Sequence, residues 1–300
     1  MKKLIITSCI ILVLLLTYIA SFFKTTDKRK KINTALVNTK YLPSITEIDL
    51  SQNGEELRLI KKHEIWFLDA GSGTNPETNL ELIPVEQKRV DNFLQELSKT
   101  RTAYKISDKI EKNNAYGLSD GSELVLRYYY SSSESYYELI FGNNDFSQTS
   151  RYFMTGKSAA IYEIDSSLNN YLSLSPQLWY DPYIISKALQ KNLSYKDIQR
   201  IKVDYEEKPS VITTKADGFA DKVSKLIDLR HGGKTEYKSI GSPELTLTLE
   251  KGDKSEITIS IFATENQSEY NVETIHSETG IKVNTKISLW TYNKIKEIML

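Results

Sequence analysis

The sequence predicts an α+β protein: an N-terminal transmembrane helix followed by two diverged repeats of mostly antiparallel sheet with packed helices. Three observations carry that prediction. Residues 4–23 form an uncharged, largely apolar stretch. From Ile198 onward the order of strand and helix signals seen after Ile45 begins again. Most strand segments alternate apolar and polar residues, as antiparallel sheets with one wet face do.

The N-terminal stretch has the length of a membrane span. Twenty residues at about 1.5 Å each reach roughly 30 Å, the thickness of a bilayer's hydrocarbon core. A cleaved signal peptide is the competing reading. Against it, the stretch is long for a signal's apolar region, and Tyr18-Ile19-Ala20 puts a large ring where cleavage needs a small residue. Cys9, the one cysteine, lies too early to begin a mature lipoprotein. The formal charge of zero hides a split. Lys2, Lys3, Lys24, Lys28, Arg29, Lys30 and Lys31 oppose only Asp27, so residues 1–31 carry +6 and the remainder −6. A basic collar beside an apolar stretch suits membrane attachment and argues against nucleic-acid binding. Lys2 and Lys3 favour a cytoplasmic N-terminus, but the five later cations pull the other way and charge alone leans towards a cytoplasmic body. The very short N-terminal tail, usual in a signal anchor, balances this and leaves the orientation open. Three segments follow: 1–31 as transmembrane anchor and basic flank, 32–192 as a first α/β unit with a helical linker, and 193–300 as a second, shorter unit.

Residues 24–40 read as a polar stalk or a continued helix. Ile45, Ile48 and Leu50 open a first strand, and residues 57–60 a second, with Asn53-Gly54 as the turn between them. Ile65, Trp66 and Phe67 make a third, before a loop rich in Gly, Ser, Thr and Asn. A helix is predicted from Pro84, because Val90, Phe93, Leu94 and Leu97 fall at i, i+3, i+4 and i+7. A polar connection leads to strands at 123–130, 136–141, 151–154 and 160–164. Short helices are predicted over 166–189, opened by Ser175-Pro176 and Asp181-Pro182. In the second unit, Ile198, Ile201 and Val203 echo the first strand, and Val211-Ile212 begin another. Asp217 is placed to cap a helix carrying Phe219, Val223, Leu226 and Ile227. Strands at 245–249, 256–262, 270–275 and 281–289 follow, then a short helix from Thr291.

The chemistry on offer is sparse. His63, His231 and His276 are isolated in sequence and lack neighbours at metal-ligand spacing. Neither His231-Gly232-Gly233-Lys234 nor Thr155-Gly156-Lys157-Ser158 completes a phosphate-binding loop; both read as turns. No catalytic residue, cofactor or metal site is predicted. Tyrosine is the unusual investment, with nineteen. Tyr128, Tyr129, Tyr130, Tyr136 and Tyr137 crowd two neighbouring strands, and Trp179 lies in the helical linker. These six are the candidate binding residues, since rigid aromatic area with a polar tip suits recognition surfaces. The competing explanation is cross-strand packing, because alternate tyrosines face opposite sides of a sheet.

The segment Tyr116-Gly117-Leu118 with Gly121, Leu124 and Leu126, then Phe141-Gly142 and Arg151-Tyr152-Phe153-Met154, resembles a bacterial membrane-anchored family of unknown function (domain of unknown function 4340). Ala160-Ile161-Tyr162-Glu163-Ile164, followed by Leu168 and Leu172, matches its strand-then-helix continuation. The chain departs from the pattern at Ser119-Asp120-Gly121, where a proline is usual; the second unit keeps one, Pro243. The resemblance implies a distant association with accessory proteins of gliding- or export-type transporters. It also implies a single-pass protein of the bacterial cytoplasmic membrane with its body outside the cytoplasm. It supplies no site residues. The expected role is a non-enzymatic, membrane-anchored accessory or scaffold protein of a transporter or envelope complex. The expected partners are the lipid bilayer through residues 4–23 and a membrane or envelope protein. The alternatives are a cell-envelope glycan or small-molecule binder and an envelope enzyme.

Overall fold

Alternation of apolar residues with polar ones determines how the strands stack into sheets. In strand β2 (Ile45–Gln52), Ile48 and Leu50 are buried under the helix layer, while Glu47 and Asp49 take the other face. A computed structural model describes residues 30–69, 82–108, 115–118, 121–130, 135–235 and 237–300, together with Ile11, Leu14 and Leu15. In chain order its first strands are β1 (Lys30–Thr34), β2, β3 (Glu55–Lys62), β4 (Ile65–Asp69) and β5 (Leu82–Pro84). Helix α1 (Gln87–Ser98) comes next, then β6 (Arg101–Ser107), β7 (Leu124–Tyr130), β8 (Tyr136–Asn144), β9 (Ser150–Thr155) and β10 (Ile161–Asp165). These strands form one antiparallel sheet ordered β1-β6-β10-β9-β8-β7-β2-β3-β4-β5.

The second sheet follows a 3-10-rich linker. It contains β11 (Ile198–Tyr205), β12 (Lys208–Thr213), helix α2 (Phe219–Ile227), β13 (Ser239–Lys251), β14 (Glu256–Thr264), β15 (Glu269–His276) and β16 (Ile281–Ser288). Helix α3 (Leu289–Met299) closes the chain. Its order is β12-β11-β13-β14-β15-β16. The first sheet contains the same topology as β3-β2-β7-β8-β9-β10: a hairpin, a helix, then a four-stranded meander beginning beside the hairpin's first strand. The larger sheet adds β1 and β6 at one edge and β4 and β5 at the other. Among the described residues the two units form separate sheets.

Each sheet buries one face under helices. Val90, Phe93, Leu94 and Leu97 of α1 pack with Ile48, Leu50, Leu59 and Leu126. In the second unit, α2 and α3 cover Ile201, Leu247, Ile259 and their neighbours. A separate apolar contact joins the sheets: Phe67 of β4 meets Leu189 of the linker and Val283 of β16.

Several sequence expectations are revised. Part of the expected stalk is strand β1, paired with β6, which itself occupies the expected polar connection after α1. Pro84 ends β5 and does not begin the helix. The backbone N–H groups of Val85 and Glu86 first bond the carbonyls of Trp66 and Trp179, and α1 starts at Gln87. Gly218, not Asp217, is the N-cap of α2. The linker holds 3-10 turns at Ser166–Asn170 and Pro176–Leu178, and Asp181-Pro182 opens no helix.

The expected transmembrane helix is overturned. Among the described residues no helix is long and apolar enough to cross a membrane. The twelve-residue α1 extends about 18 Å, against roughly 30 Å of hydrocarbon. Residues 4–23 lie outside the described residues, apart from Ile11, Leu14 and Leu15. The bilayer as partner, single-pass placement in the cytoplasmic membrane and the anchored form of the accessory role thus have no element of this structure to carry them. The fold class is α+β, two antiparallel sheets with helices packed against them.

Candidate functional site

The tyrosine-rich strands β7 and β8 lie side by side, with Tyr128 opposite Tyr137 and Tyr129 opposite Tyr136. Alternation therefore divides the six aromatic candidates between two environments. Tyr128, Tyr130 and Tyr137 turn toward the helix-covered core. The Tyr128 hydroxyl donates to the Leu36 carbonyl at 3.2 Å, and its ring stacks on Tyr137 at 5.3 Å. Trp179 is fully buried against Phe93, with its indole N–H on the Ser173 carbonyl. Only Tyr129 and Tyr136 reach the outer face, their ring centroids 5.5 Å apart.

Beside that pair lies a feature that requires knowledge of register. Asp69, Arg58, Asp49, Arg127 and Glu138 stand opposite one another on β4, β3, β2, β7 and β8. They form a cross-strand ladder of alternating charge. Arg58 also contacts Glu47 at 2.9 Å, and Arg127 contacts Glu138 at 2.7 Å. Opposite charges facing each other across strands stabilise a sheet modestly. The central rung is different. Asp49 is only 7 % exposed, its Oδ1 accepts no hydrogen bond among the described residues, and Arg58 stands 3.9 Å away. Burial, and then the neighbouring Glu47, push its pKa up to about 6, although Tyr129 and Arg58 pull it down. Burial and Asp49 in turn raise the Tyr129 hydroxyl to about 12.

A second site lies where the linker crosses between the sheets. Residues 179–184 form an extended strap bonded on both sides. On one side Glu86 N–H donates to the Trp179 carbonyl, and Asp181 N–H to that of Pro84. On the other, Ile184 N–H donates to Leu229 and His231 N–H to Pro182. The His231 ring locks the crossing: Gly233 N–H donates to Nδ1 at 2.9 Å, which leaves Nε2–H to donate to the Asp181 carbonyl at 2.7 Å. Burial depresses the pKa of this imidazole. The Asp181 carboxylate accepts from the Ser186 hydroxyl and the Ala188 N–H, both at 2.8 Å.

Against this strap opens a cavity of about 520 Å³, within the range of small-molecule sites. Val85, Pro182 and Ala188 supply apolar lining, and Lys187, Lys191 and Arg230 supply cations. The Tyr183 ring lies 3.6 Å from the Lys187 ammonium and 5.3 Å from the Arg230 guanidinium. These residues are scattered from 85 to 230, so no local sequence pattern signals them. Among the described residues, no group of three or more His, Cys, Asp or Glu is placed to hold a metal ion.

The segments that carried the family resemblance meet in space. Asn143 N–H donates to the Tyr116 carbonyl at 2.8 Å. A Cβ on Gly142 would lie 1.9 Å from that same carbonyl oxygen, and Gly117, at φ +64°, sits against Asn143. Two glycines let the loop before β7 close onto β8. A family model described as a domain of unknown function (DUF4340) matches residues 78–231. The chain belongs to this family. No curated protein and no solved structure matches it. The family segment spans α1, the whole of β6–β10, the strap and every cavity residue named above. It also includes Arg127, Tyr129, Tyr136 and Glu138, whereas Glu47, Asp49, Arg58 and Asp69 lie before it.

Proposed function

We propose that this chain is a non-catalytic accessory module that docks a partner protein on the outer face of its ten-stranded sheet. The observation that carries the reading is the Tyr129–Tyr136 pair set into the charge ladder. Tyrosine and arginine are the residue types that concentrate binding energy in protein interfaces. Here Tyr136 is 47 % exposed, and the Arg127 guanidinium lies 5.5 Å from its ring. Carboxylates outnumber cations in this patch: Glu47, Asp49, Asp69 and Glu138 against Arg58 and Arg127. The partner it suits therefore presents basic side chains, steered by charge and held by the rings. An accessory subunit of a gliding- or export-type transporter is the form of this role that the family resemblance suggests.

The test places a photo-crosslinking residue at Tyr136 of the full chain in cells, with a second at Val211 on the far edge of the smaller sheet as control. The expected result is one protein captured at 136 and not at 211, and lost on the double reversal Glu47→Lys and Glu138→Lys. No specific capture at an abundant level of protein, or capture indifferent to the reversal, sinks the reading.

A further inference from the structure

The cavity against the linker strap is chemically distinct from the outer face and independent of the docking reading. We propose that it binds a small organic monocarboxylate, the carboxylate held by Arg230 and Lys191 and the apolar body lying against Pro182 and the Tyr183 ring.

Three observations converge on that ligand. First, two of the cations have no anionic partner among the described residues. Lys187 donates to Asp228 at 3.0 Å, but neither Lys191 nor Arg230 has an ion pair there. Both are exposed at the cavity wall, so holding an anion costs them no existing ion pair, and the Arg230 guanidinium otherwise lies over the Tyr183 ring. An arginine fork meets a carboxylate through two parallel N–H···O bonds, and such charge-assisted bonds are about twice as strong as neutral ones.

Second, the charge balance favours one negative charge over two. Lys187 is neutralised by Asp228, which leaves Lys191 and Arg230 against Glu86 and Asp181. A monocarboxylate adds one negative charge to that balance, whereas a phosphate dianion adds two and faces two fixed carboxylates.

Third, the remaining lining is suited to an apolar body. Tyr183 is held in place by its cation contacts and by the backbone bridge between Tyr183 and Arg230, so its ring is a preset wall. Pro182, half-buried, contributes aliphatic surface beside the ring. The position is also consequential. The same strap bonds both structural units, so a ligand seated on Tyr183 and Arg230 lies at the crossing.

Isothermal titration of the full chain with benzoate, 3-phenylpropionate and hexanoate tests the proposal, with the matching neutral amides and inorganic phosphate as controls. At least one carboxylate is expected to bind saturably. Its amide, which lacks the charge-assisted bonds, should bind roughly tenfold more weakly or not at all. Arg230→Gln and Lys191→Gln, both exposed side chains, should each weaken the carboxylate by roughly tenfold with an unchanged melting temperature. Phosphate should not compete at concentrations where the carboxylate saturates. The proposal is overturned if none of the three carboxylates binds, if amides or phosphate bind equally well, or if folded Arg230→Gln and Lys191→Gln proteins bind like the parent.

Discussion

Replacing Asp49 with asparagine should stabilise this protein at neutral pH, because the ladder's central carboxylate is held ionised in a place that disfavours its charge. Burial lifts its pKa from an ordinary 3.8 to about 6. A folded-state pKa above the unfolded one means that Asp49 imposes no cost below 3.8, where both states are protonated. The cost grows as pH rises through the interval and is complete above about 6. The gap between 3.8 and about 6, at about 1.4 kcal/mol for each pKa unit, comes to about 3 kcal/mol. Asparagine keeps the shape and the neighbours of the neutral acid, so Asp49→Asn should gain about that amount at pH 7 and nothing at pH 3.5. Urea unfolding followed by tryptophan fluorescence at half-unit steps of pH reads the difference directly. The attraction of Arg58 at 3.9 Å is already included in the raised pKa. If the variant is no more stable than the parent at pH 7, or if the difference does not shrink towards pH 4, the reasoning from burial is wrong. A stability cost at a surface nominated for recognition is the pattern expected where charge placement serves binding more than folding.

Other side chains give equally definite outcomes. His276 is fully buried, neither ring nitrogen has a hydrogen-bond partner among the described residues, and burial lowers its pKa from 6.5 to about 4. A depressed histidine leaves stability intact above 6.5 and removes it as pH falls towards 4, by about 3 kcal/mol in full. His276→Leu should abolish that acid loss, and measuring both in the Asp49→Asn background exposes it, since the two slopes oppose each other between pH 4 and 6. Gly142→Ala would force a Cβ to within 1.9 Å of the Tyr116 carbonyl, so a loss of about 3 kcal/mol or more is expected in thermal melts. Trp179→Ala should cost about 3–5 kcal/mol by opening a core cavity. Tyr136→Ala, on the exposed face, should cost under about 1 kcal/mol; equal losses from the two would contradict their assigned positions.

How far the chain could be read locally depended on whether a signal was periodic. The stripe Val90, Phe93, Leu94 and Leu97 names α1 and its buried side without reference to anything distant. Asn53-Gly54 joins β2 to β3 because both residues adopt positive φ. The recurring order of hairpin, helix and meander was likewise present in the spacing of apolar residues. Strand β1 and strand β6 were not, because Lys30, Lys31, Lys105 and their neighbours lack a clean apolar alternation; β1 is a strand by virtue of pairing with β6, and β6 by pairing with β1 and β10. Asp181-Pro182 has the composition of a helix start, yet the carboxylate is consumed by Ser186 and Ala188 and the backbone by Pro84. The anchor expected at residues 4–23 rested on hydropathy, the basic flank and the family resemblance, and the described helices give it no support.

By itself, then, the sequence determined the α+β class, the helix faces and the tyrosine-rich strands. These follow from propensity and periodicity, which act over a few residues. The tertiary structure alone decided which tyrosines face outward, that five charges from five strands form one ladder, and that Val85, Tyr183, Lys191 and Arg230 line one cavity. Those depend on register and on the crossing of the linker, which are set by contacts between residues far apart in the chain.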